Sequence, residues 1–274
     1  MKIRNSEFDL RKMTYVMGIL NVTPDSFSDG CLHNSTEQAV EHALDMIKEG
    51  ATIIDIGGES TRPGYEGISA EEELKRVIPV ITALRNVSSV PISIDTTKPE
   101  VASAAVAAGA DIINTVEGAE ISDEMLDVVK ETGAYLVMTY EKSYVNHFGE
   151  ELIAMAERAV EYGIPQDKII VDPGIGFGKT QDDNLRILNE LPIITQIGYP
   201  VLLGCSRKSV IGYALGTGGA EDKEQLREER MAPTVATTVL AALAGVGIIR
   251  VHDVGHNVRA IKMLEKICNS QTQI

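Results

Sequence analysis

Short apolar, β-branched runs recur along the chain, and nearly every one ends in a polar residue that a core strand has no use for. The runs are TYVMGIL ending at Asn21, ATIIDI before a GGES turn, VPISI ending at Asp95, ADIIN ending at Asn114, AYLVM ending at Met138, KIIV followed by Asp172, PVLLG before SRK, and GIIRV with Arg250 and His252. Stretches of helical periodicity separate them, at about 35–49, 70–86, 98–108, 122–132, 148–162, 181–190, 206–215, 225–244 and 256–268, so strand and helix alternate. Eight such units in 274 residues match the size of a (β/α)8 TIM barrel, about 250 residues. Barrel strands are covered on both faces and read as near-continuous Val, Ile and Leu, as these do. A doubly wound open sheet is the structural rival, but the units are regularly spaced and no dinucleotide fingerprint is present. The expected architecture is α/β, a (β/α)8 barrel taking residues 1–274 as one domain. An extra helix is expected between the seventh and eighth strands, where GTGGAEDKE separates two helical stretches. In such barrels the functional residues sit at the strand C-termini, which is where these polar residues fall.

Charge narrows the choice of partner. With 25 basic and 40 acidic residues the net charge is −15, which disfavours nucleic acid and membrane surfaces. An anionic substrate must then be held by a local basic cluster working against the global field. Cys31, Cys205 and Cys268 are odd in number and far apart, with no C-x-x-C pair, which points to free thiols in a reducing cytoplasm. The N-terminal MKIRNSEFDLRKMTY lacks the apolar core of a signal peptide, and no run approaches the roughly 18 apolar residues of a membrane span, so a soluble protein is expected.

Several strand ends carry chemistry. The segment DPGIGFGKT at 172–180 invites comparison with a phosphate-binding P-loop, but the position that motif needs as its first glycine holds Pro173. Its glycines then either let the backbone pass close to a flat ligand or turn tightly at the barrel mouth. Asp172, just before that turn, is a carboxylate aimed at a cavity, and its natural partner is a fork of N–H donors such as an amidine-like edge. Asp95 and Asn114 add a second acceptor and a mixed donor and acceptor to the same mouth, so the three together suit a nitrogen heterocycle. Taken singly, each equally suits a cap for the next helix or turn. Asp55 lies inside a strand, a weaker candidate that suits tying down neighbouring loops. SRKS at 206–209 follows the seventh strand and RVHDV at 250–254 contains the end of the eighth, the two places where such barrels frequently bind phosphate. Lys208, Arg250 and His252 thus form the basic cluster that the net charge demands. Solvated surface charge is the plainer reading of Arg207 and Lys208, whereas an Arg in a buried strand needs an anion. Asn21 offers a single neutral oxygen, which fits Mg2+ arriving with a substrate phosphate better than a dedicated protein cage. The loops TPDSFSDGCLHNS and ESTRPGYEGIS are long for such connections and leave from the same edge, as binding loops do.

Taken together, MGILNVTPDSFSDG, IDIGGESTRPG, ISIDTTKPEVA, DIIN, VDPGIGFGKT, SRKSVIG and RVHDV closely resemble the dihydropteroate synthase family of pterin-binding TIM barrels, from about Tyr15 to the last helix. The resemblance implies a folate-biosynthetic transferase that joins 6-hydroxymethyl-7,8-dihydropterin pyrophosphate to p-aminobenzoate with Mg2+, is the target of sulfonamide drugs, and forms a homodimer through outer helices. It implies that Asp95, Asn114, Met138 and Asp172 hold the pterin with Lys208 beside it. Asn21, Arg250 and His252 are implied for pyrophosphate and metal. Phe27, Thr61, Arg62, Pro63, Phe177 and Ser209 are implied for p-aminobenzoate, and Asp95, Lys208, Arg250 and His252 for catalysis. The chain departs from the family after the fifth strand, where Thr139 stands in place of an expected His and the following segment is shorter, and at Thr115, which replaces an acid.

Two other readings stay open. A methyltetrahydrofolate-dependent methyltransferase is a related pterin barrel, but it has no use for SRKS, RVHDV or the two long loops. A non-catalytic pterin-binding protein is suggested by the change at the fifth strand.

Overall fold

The computed structural model describes residues 1–23, 32–59, 67–217 and 223–270. The chain opens with a small antiparallel ribbon of β1 (Lys2–Ile3) and β2 (Ser6–Glu7). Eight parallel strands follow: β3 (Tyr15–Asn21), β4 (Ile53–Gly57), β5 (Ile92–Asp95), β6 (Ile112–Thr115), β7 (Tyr135–Thr139), β8 (Ile169–Asp172), β9 (Leu202–Leu203) and β10 (Ile248–Val251). Their order is β8-β7-β6-β5-β4-β3-β10-β9. The two outer strands of that order meet where Val171 bridges Val201 and its N–H donates to Pro200 O at 3.0 Å. That contact closes a barrel and excludes the open sheet.

The helices are α1 (Leu32–Glu49), α2 (Ala70–Val87), α3 (Pro99–Ala108), α4 (Asp123–Thr132), α5 (Phe148–Tyr162), α6 (Gln181–Ile194), α7 (Ser209–Leu215), α8 (Lys223–Leu243) and α9 (Val254–Asn269). Both α7 and α8 lie between β9 and β10, so the surplus helix is where the sequence puts it. One helix start moves. The periodicity predicts a helix from 206, but Arg207 takes the left-handed φ of 58° and Lys208 is an extended N-cap, so α7 begins only at Ser209. Among the described residues no helix is long and apolar enough to cross a membrane.

Alternate residues of a strand point to opposite faces, and this splits the core in two. Outward side chains such as Ile54, Ile94, Leu136 and Val171 pack with Val77, Leu84, Leu126 and Ile187 of the helices. Inward side chains at the lower end, Met17, Ile53, Ile112, Val137, Ile170, Leu202 and Ile248, form a separate apolar cluster. Ile3, Phe8 and Leu10 from the N-terminal segment close that cluster from below. Two residues further along β4, β6, β7, β8 and β10 the same inward face turns polar, with Asp55, Asn114, Thr139, Asp172 and Arg250, and Asp95 of β5 joins them. An apolar floor therefore carries a polar layer, and the layer faces the C-terminal mouth.

Phe8 is the largest side chain of the N-terminal plug, 4 % exposed and edge-on to Tyr15 at 4.8 Å. Phe8→Ala should lower the free energy of urea unfolding by about 3–5 kcal/mol. Val87→Ala, at a position 61 % exposed, should stay within about 0.5 kcal/mol of the unaltered protein in the same assay.

Candidate active site at the barrel mouth

The polar layer is built around one guanidinium. Arg250, on β10, donates from Nε to Asp55 Oδ2 at 2.6 Å and from Nη2 to Asp95 Oδ2. Asp55 is fully buried and also receives Asn114 Nδ2, at 3.4 Å and 3.3 Å to its two oxygens. Parallel pairing of β5 with β6 sets Asp95 beside Asn114. Asp172 and Arg250 flank Gly204, where an added Cβ would sit 3.6 Å from Asp172 Oδ2 and 3.9 Å from Arg250 Cδ.

Burial opposes the charges of Asp95, Asp172, Lys208 and Arg250, and their partners answer it. Asp95 is pushed up to about 7 by burial, with Arg250 pulling against it and Asp55 and Glu73 adding to the rise. Asp172 is raised by burial, with Lys208 as the chief opposing charge. Lys208 is lowered by burial while Asp172 pulls it back up. For Arg250 the cost of burial is outweighed by Asp55 and Asp95, which hold its pKa above the ordinary value.

Beside this layer lies a cavity of about 290 Å³, lined by Asp95, Thr96, Val116, Phe177 and the carboxylates of Glu59, Glu73, Glu117 and Glu141. The Lys208 ammonium stands 4.5 Å from the centroid of the Phe177 ring and donates to Ile175 O. His252, just past β10, is oriented by Ser206, whose Oγ lies 3.0 Å from Nδ1 and accepts the His252 N–H at 3.2 Å. Asn21 ends β3 opposite Gly57, and its Oδ1 and Asp95 Oδ2 both lie within 4 Å of the point where a Gly57 Cβ would stand, at 3.9 Å and 3.8 Å.

Asp95, Asn114, Asp172, Phe177, Lys208 and Arg250 are thus brought to one mouth, with Asn21 and His252 at its rim. Ser209 is exposed at the start of α7, where its Oγ accepts from Gln181 Nε2 at 3.1 Å. Met138 is fully buried in the cluster between barrel and helices, and its neighbour Thr139 is the one paired in register with Asp172. Phe27, Thr61, Arg62 and Pro63 lie outside the described residues.

One expectation changes. Asp55 ties down no loop but holds Arg250 and Asn114 inside the barrel; its spacing of two from Ile53 and Gly57 is the signal that it faces inward. For Arg207 and Lys208 the rival reading as solvated surface charges is the one that fails, since Arg207 Nε pairs with Asp253 Oδ2 at 2.9 Å and Lys208 bonds Ile175 O at the mouth. Ser206, which orients His252, carries no signal in the sequence beyond its place in SRKS.

The sequence matches the family described as pterin binding enzyme over residues 17–252. A dihydropteroate synthase of Clostridium beijerinckii is 45% identical over 274 residues, covering 97% of this chain and 99% of that one. The solved structure of Clostridium difficile dihydropteroate synthase in the presence of pteroic acid superposes with a TM-score of 0.86 at 43% identity, covering 95% of this chain and 99% of that one. Xanthomonas albilineans dihydropteroate synthase with 4-aminobenzoic acid gives a TM-score of 0.85 at 42% identity, covering 96% and 95%. This chain belongs to the pterin-binding enzyme family.

In this pterin-binding enzyme the glycine-rich turn after β8 packs on backbone. A Cβ on Gly174, which has a φ of +70°, would lie 2.1 Å from Tyr140 O, and one on Gly178, with a φ of +58°, would lie 2.2 Å from Glu141 O. The glycines are there because the turn is tight and presses against the segment after β7. Asp172 Oδ1 accepts the Gly174 N–H at 2.8 Å, so the same turn orients a carboxylate of the polar layer.

Gly216 supplies a control, with a φ of +68° and, among the described residues, nothing within 4 Å of an added Cβ. Gly216→Ala should cost about 1–2 kcal/mol in urea unfolding, the cost of the left-handed backbone alone. Gly174→Ala should cost more than that, because the new methyl group overlaps a carbonyl oxygen that is itself fixed. Equal losses in the two variants would show that the turn has room to move away.

Proposed function

We infer that this chain is a dihydropteroate synthase, which condenses 6-hydroxymethyl-7,8-dihydropterin pyrophosphate with p-aminobenzoate to give 7,8-dihydropteroate and pyrophosphate in folate biosynthesis. The observation that carries this reading is the gathering of Asp95, Asn114 and Asp172 with Lys208 and Arg250 at one mouth of an otherwise acidic protein, with Arg250 bonded to Asp95 and Lys208 acting on Asp172 through space. The carboxylates accept the N–H groups of the pterin edge, and Asn114 supplies both a donor and an acceptor to a ring that presents both. Phe177 and Lys208 cover the ring. The pyrophosphate lies toward Arg250 and His252, where Nη1 of Arg250 makes no hydrogen bond among the described residues. Phe27, Thr61, Arg62, Pro63, Phe177 and Ser209 are assigned to p-aminobenzoate.

Little is asked of a side-chain base. The arylamine nitrogen is neutral at physiological pH and already nucleophilic, so the harder event is rupture of the bond from the pterin methylene carbon to the pyrophosphate oxygen. The electron pair leaves with the oxygen, the amine nitrogen bonds to the carbon, and the surplus amine proton passes to solvent or to the departing pyrophosphate. Arg250, His252 and Lys208 stabilise the charge that grows on the leaving group, which is electrostatic catalysis. Asp95 stands close enough to the ring to favour positive charge on it.

Mg2+ fits the residues present. No group of three or more His, Cys, Asp or Glu among the described residues makes a dedicated metal cage. Asn21 Oδ1 is a hard neutral oxygen beside Asp95, the kind of single protein donor that suits an ion brought in by pyrophosphate. When bound, Mg2+ would neutralise part of the pyrophosphate charge. A homodimer through the outer helices is supported by Tyr213 and Leu215 of α7 and Leu240 and Leu243 of α8, all exposed apolar side chains. A reducing cytoplasm suits the free thiols of Cys205 and Cys268.

Pure protein given the pterin pyrophosphate, p-aminobenzoate and Mg2+ should form dihydropteroate, and no product above background would overturn the reading. In the same assay Lys208→Ala and Arg250→Ala should each lower turnover at least tenfold, equivalent to about 1.4 kcal/mol of barrier. Unchanged kinetics in either variant would remove that residue from the site.

A further inference from the structure

Lys179 takes no part in the reaction as described, yet its ammonium lies where two active-site loops meet. Nζ donates to Tyr140 O at 2.7 Å, Gly174 O at 3.1 Å and Phe177 O at 3.0 Å. It also stands over the rings of Tyr140 and Phe148, at 5.3 Å and 5.7 Å from their centroids. We propose that Lys179 is a positioning residue for the pterin site, tying the loop of residues 173–178 to the end of β7 and so setting Asp172 and Phe177. The proposal rests on reading the mouth as a pterin site.

A lysine ammonium has three N–H groups, and here three carbonyl oxygens use them. Carbonyl dipoles converging on one point repel one another, so the loop needs a cation at that point to hold this shape. Asp172, Glu141 and Asp183 act on Lys179 through space, as does the like charge of Lys208, but among the described residues it makes no ion pair. Its hydrogen bonds go to the loop instead.

What hangs on the loop faces the ligand. The Gly174 N–H holds Asp172 Oδ1 at 2.8 Å, and the Phe177 N–H closes back on Gly174 O at 3.1 Å. Ile175 O receives Lys208, whose ammonium covers the Phe177 ring. On the far side Asn184 Oδ1 accepts the Gly176 N–H at 2.7 Å, and Ser143 Oγ donates to Gly178 O at 3.1 Å. These outer bonds fix the loop to α6 and to the segment after β7, but among the described residues only Lys179 reaches Gly174 O, Phe177 O and Tyr140 O together. Loss of the ammonium therefore shifts an acceptor, an aromatic wall and a cation of the pterin site at once.

The test is calorimetric binding of 6-hydroxymethylpterin to the unaltered chain, to Lys179→Ala and to Lys179→Met, with thermal unfolding of each. Methionine keeps the apolar stem against Tyr140 and Phe148 and removes the ammonium with its charge and its three donors. Both variants should fold and bind the pterin at least tenfold more weakly. Ethylammonium in the buffer should recover much of the loss in Lys179→Ala, where it has room to enter, and none in Lys179→Met. Pterin affinity within twofold of the unaltered chain in both variants would overturn the proposal while leaving the synthase reading intact. So would weak binding by folded Lys179→Ala that ethylammonium does not improve, or failure of both variants to fold, since either makes the residue a structural one. If the unaltered chain binds no pterin, the reading of the mouth itself fails, and the proposal with it.

Discussion

A guanidinium enclosed by two carboxylates inside the barrel is the interaction on which the rest of the mouth depends. Arg250, Asp55 and Asp95 come from β10, β4 and β5, and each would be costly in that place without the others. Removing one partner of a buried charge pair typically costs about 3–5 kcal/mol, because the remaining charge is left uncompensated. Asn114 joins the group through Asp55, and Asp172 meets Arg250 across Gly204. The layer therefore stands or falls together. It also keeps strain of a useful kind, because Asp95 and Asp172 are carboxylates that burial makes reluctant to ionise. A flat ligand bearing several N–H groups relieves that cost by donating to the carboxylates.

The apolar floor makes this arrangement possible. Ile3, Phe8 and Leu10 close the barrel from below, so the polar layer faces one opening only. Above the layer, the turn after β8 leans on the backbone after β7, and glycine is needed there because a Cβ would overlap Tyr140 O or Glu141 O. The shorter segment after β7 is thus an abutment for the glycine turn. Thr139, where the family resemblance leads one to expect a histidine, sits on the inward face level with Asp172.

Much of this was legible in the sequence because buried parallel strands leave a strong mark. Runs of Ile and Val bounded by polar residues located the barrel strands, and Asp95, Asn114, Asp172 and Arg250 stood out at their ends. Asp55 was harder, since it lies within its strand; only counting by twos from Ile53 turns it inward, onto Arg250. By the same count Met138, one residue short of Thr139, belongs to the cluster shared with the helices. The N-terminal ribbon left no trace, because strands of two residues have no period to read. At SRKS the helical pattern ran on through Arg207, and the left-handed φ of 58° that delays α7 and releases Lys208 toward the mouth depends on contacts distant in sequence. Arg207 is held there by Asp253, Thr234 and Arg230.

The most direct test of the account is a crystal structure of the chain with the pterin pyrophosphate bound. The pterin edge should lie within hydrogen-bond distance of Asp95, Asn114 and Asp172, under Phe177 and Lys208, with the pyrophosphate on Arg250 and His252. A pterin seated outside the polar layer, or a pyrophosphate that makes no contact with Arg250, would contradict it.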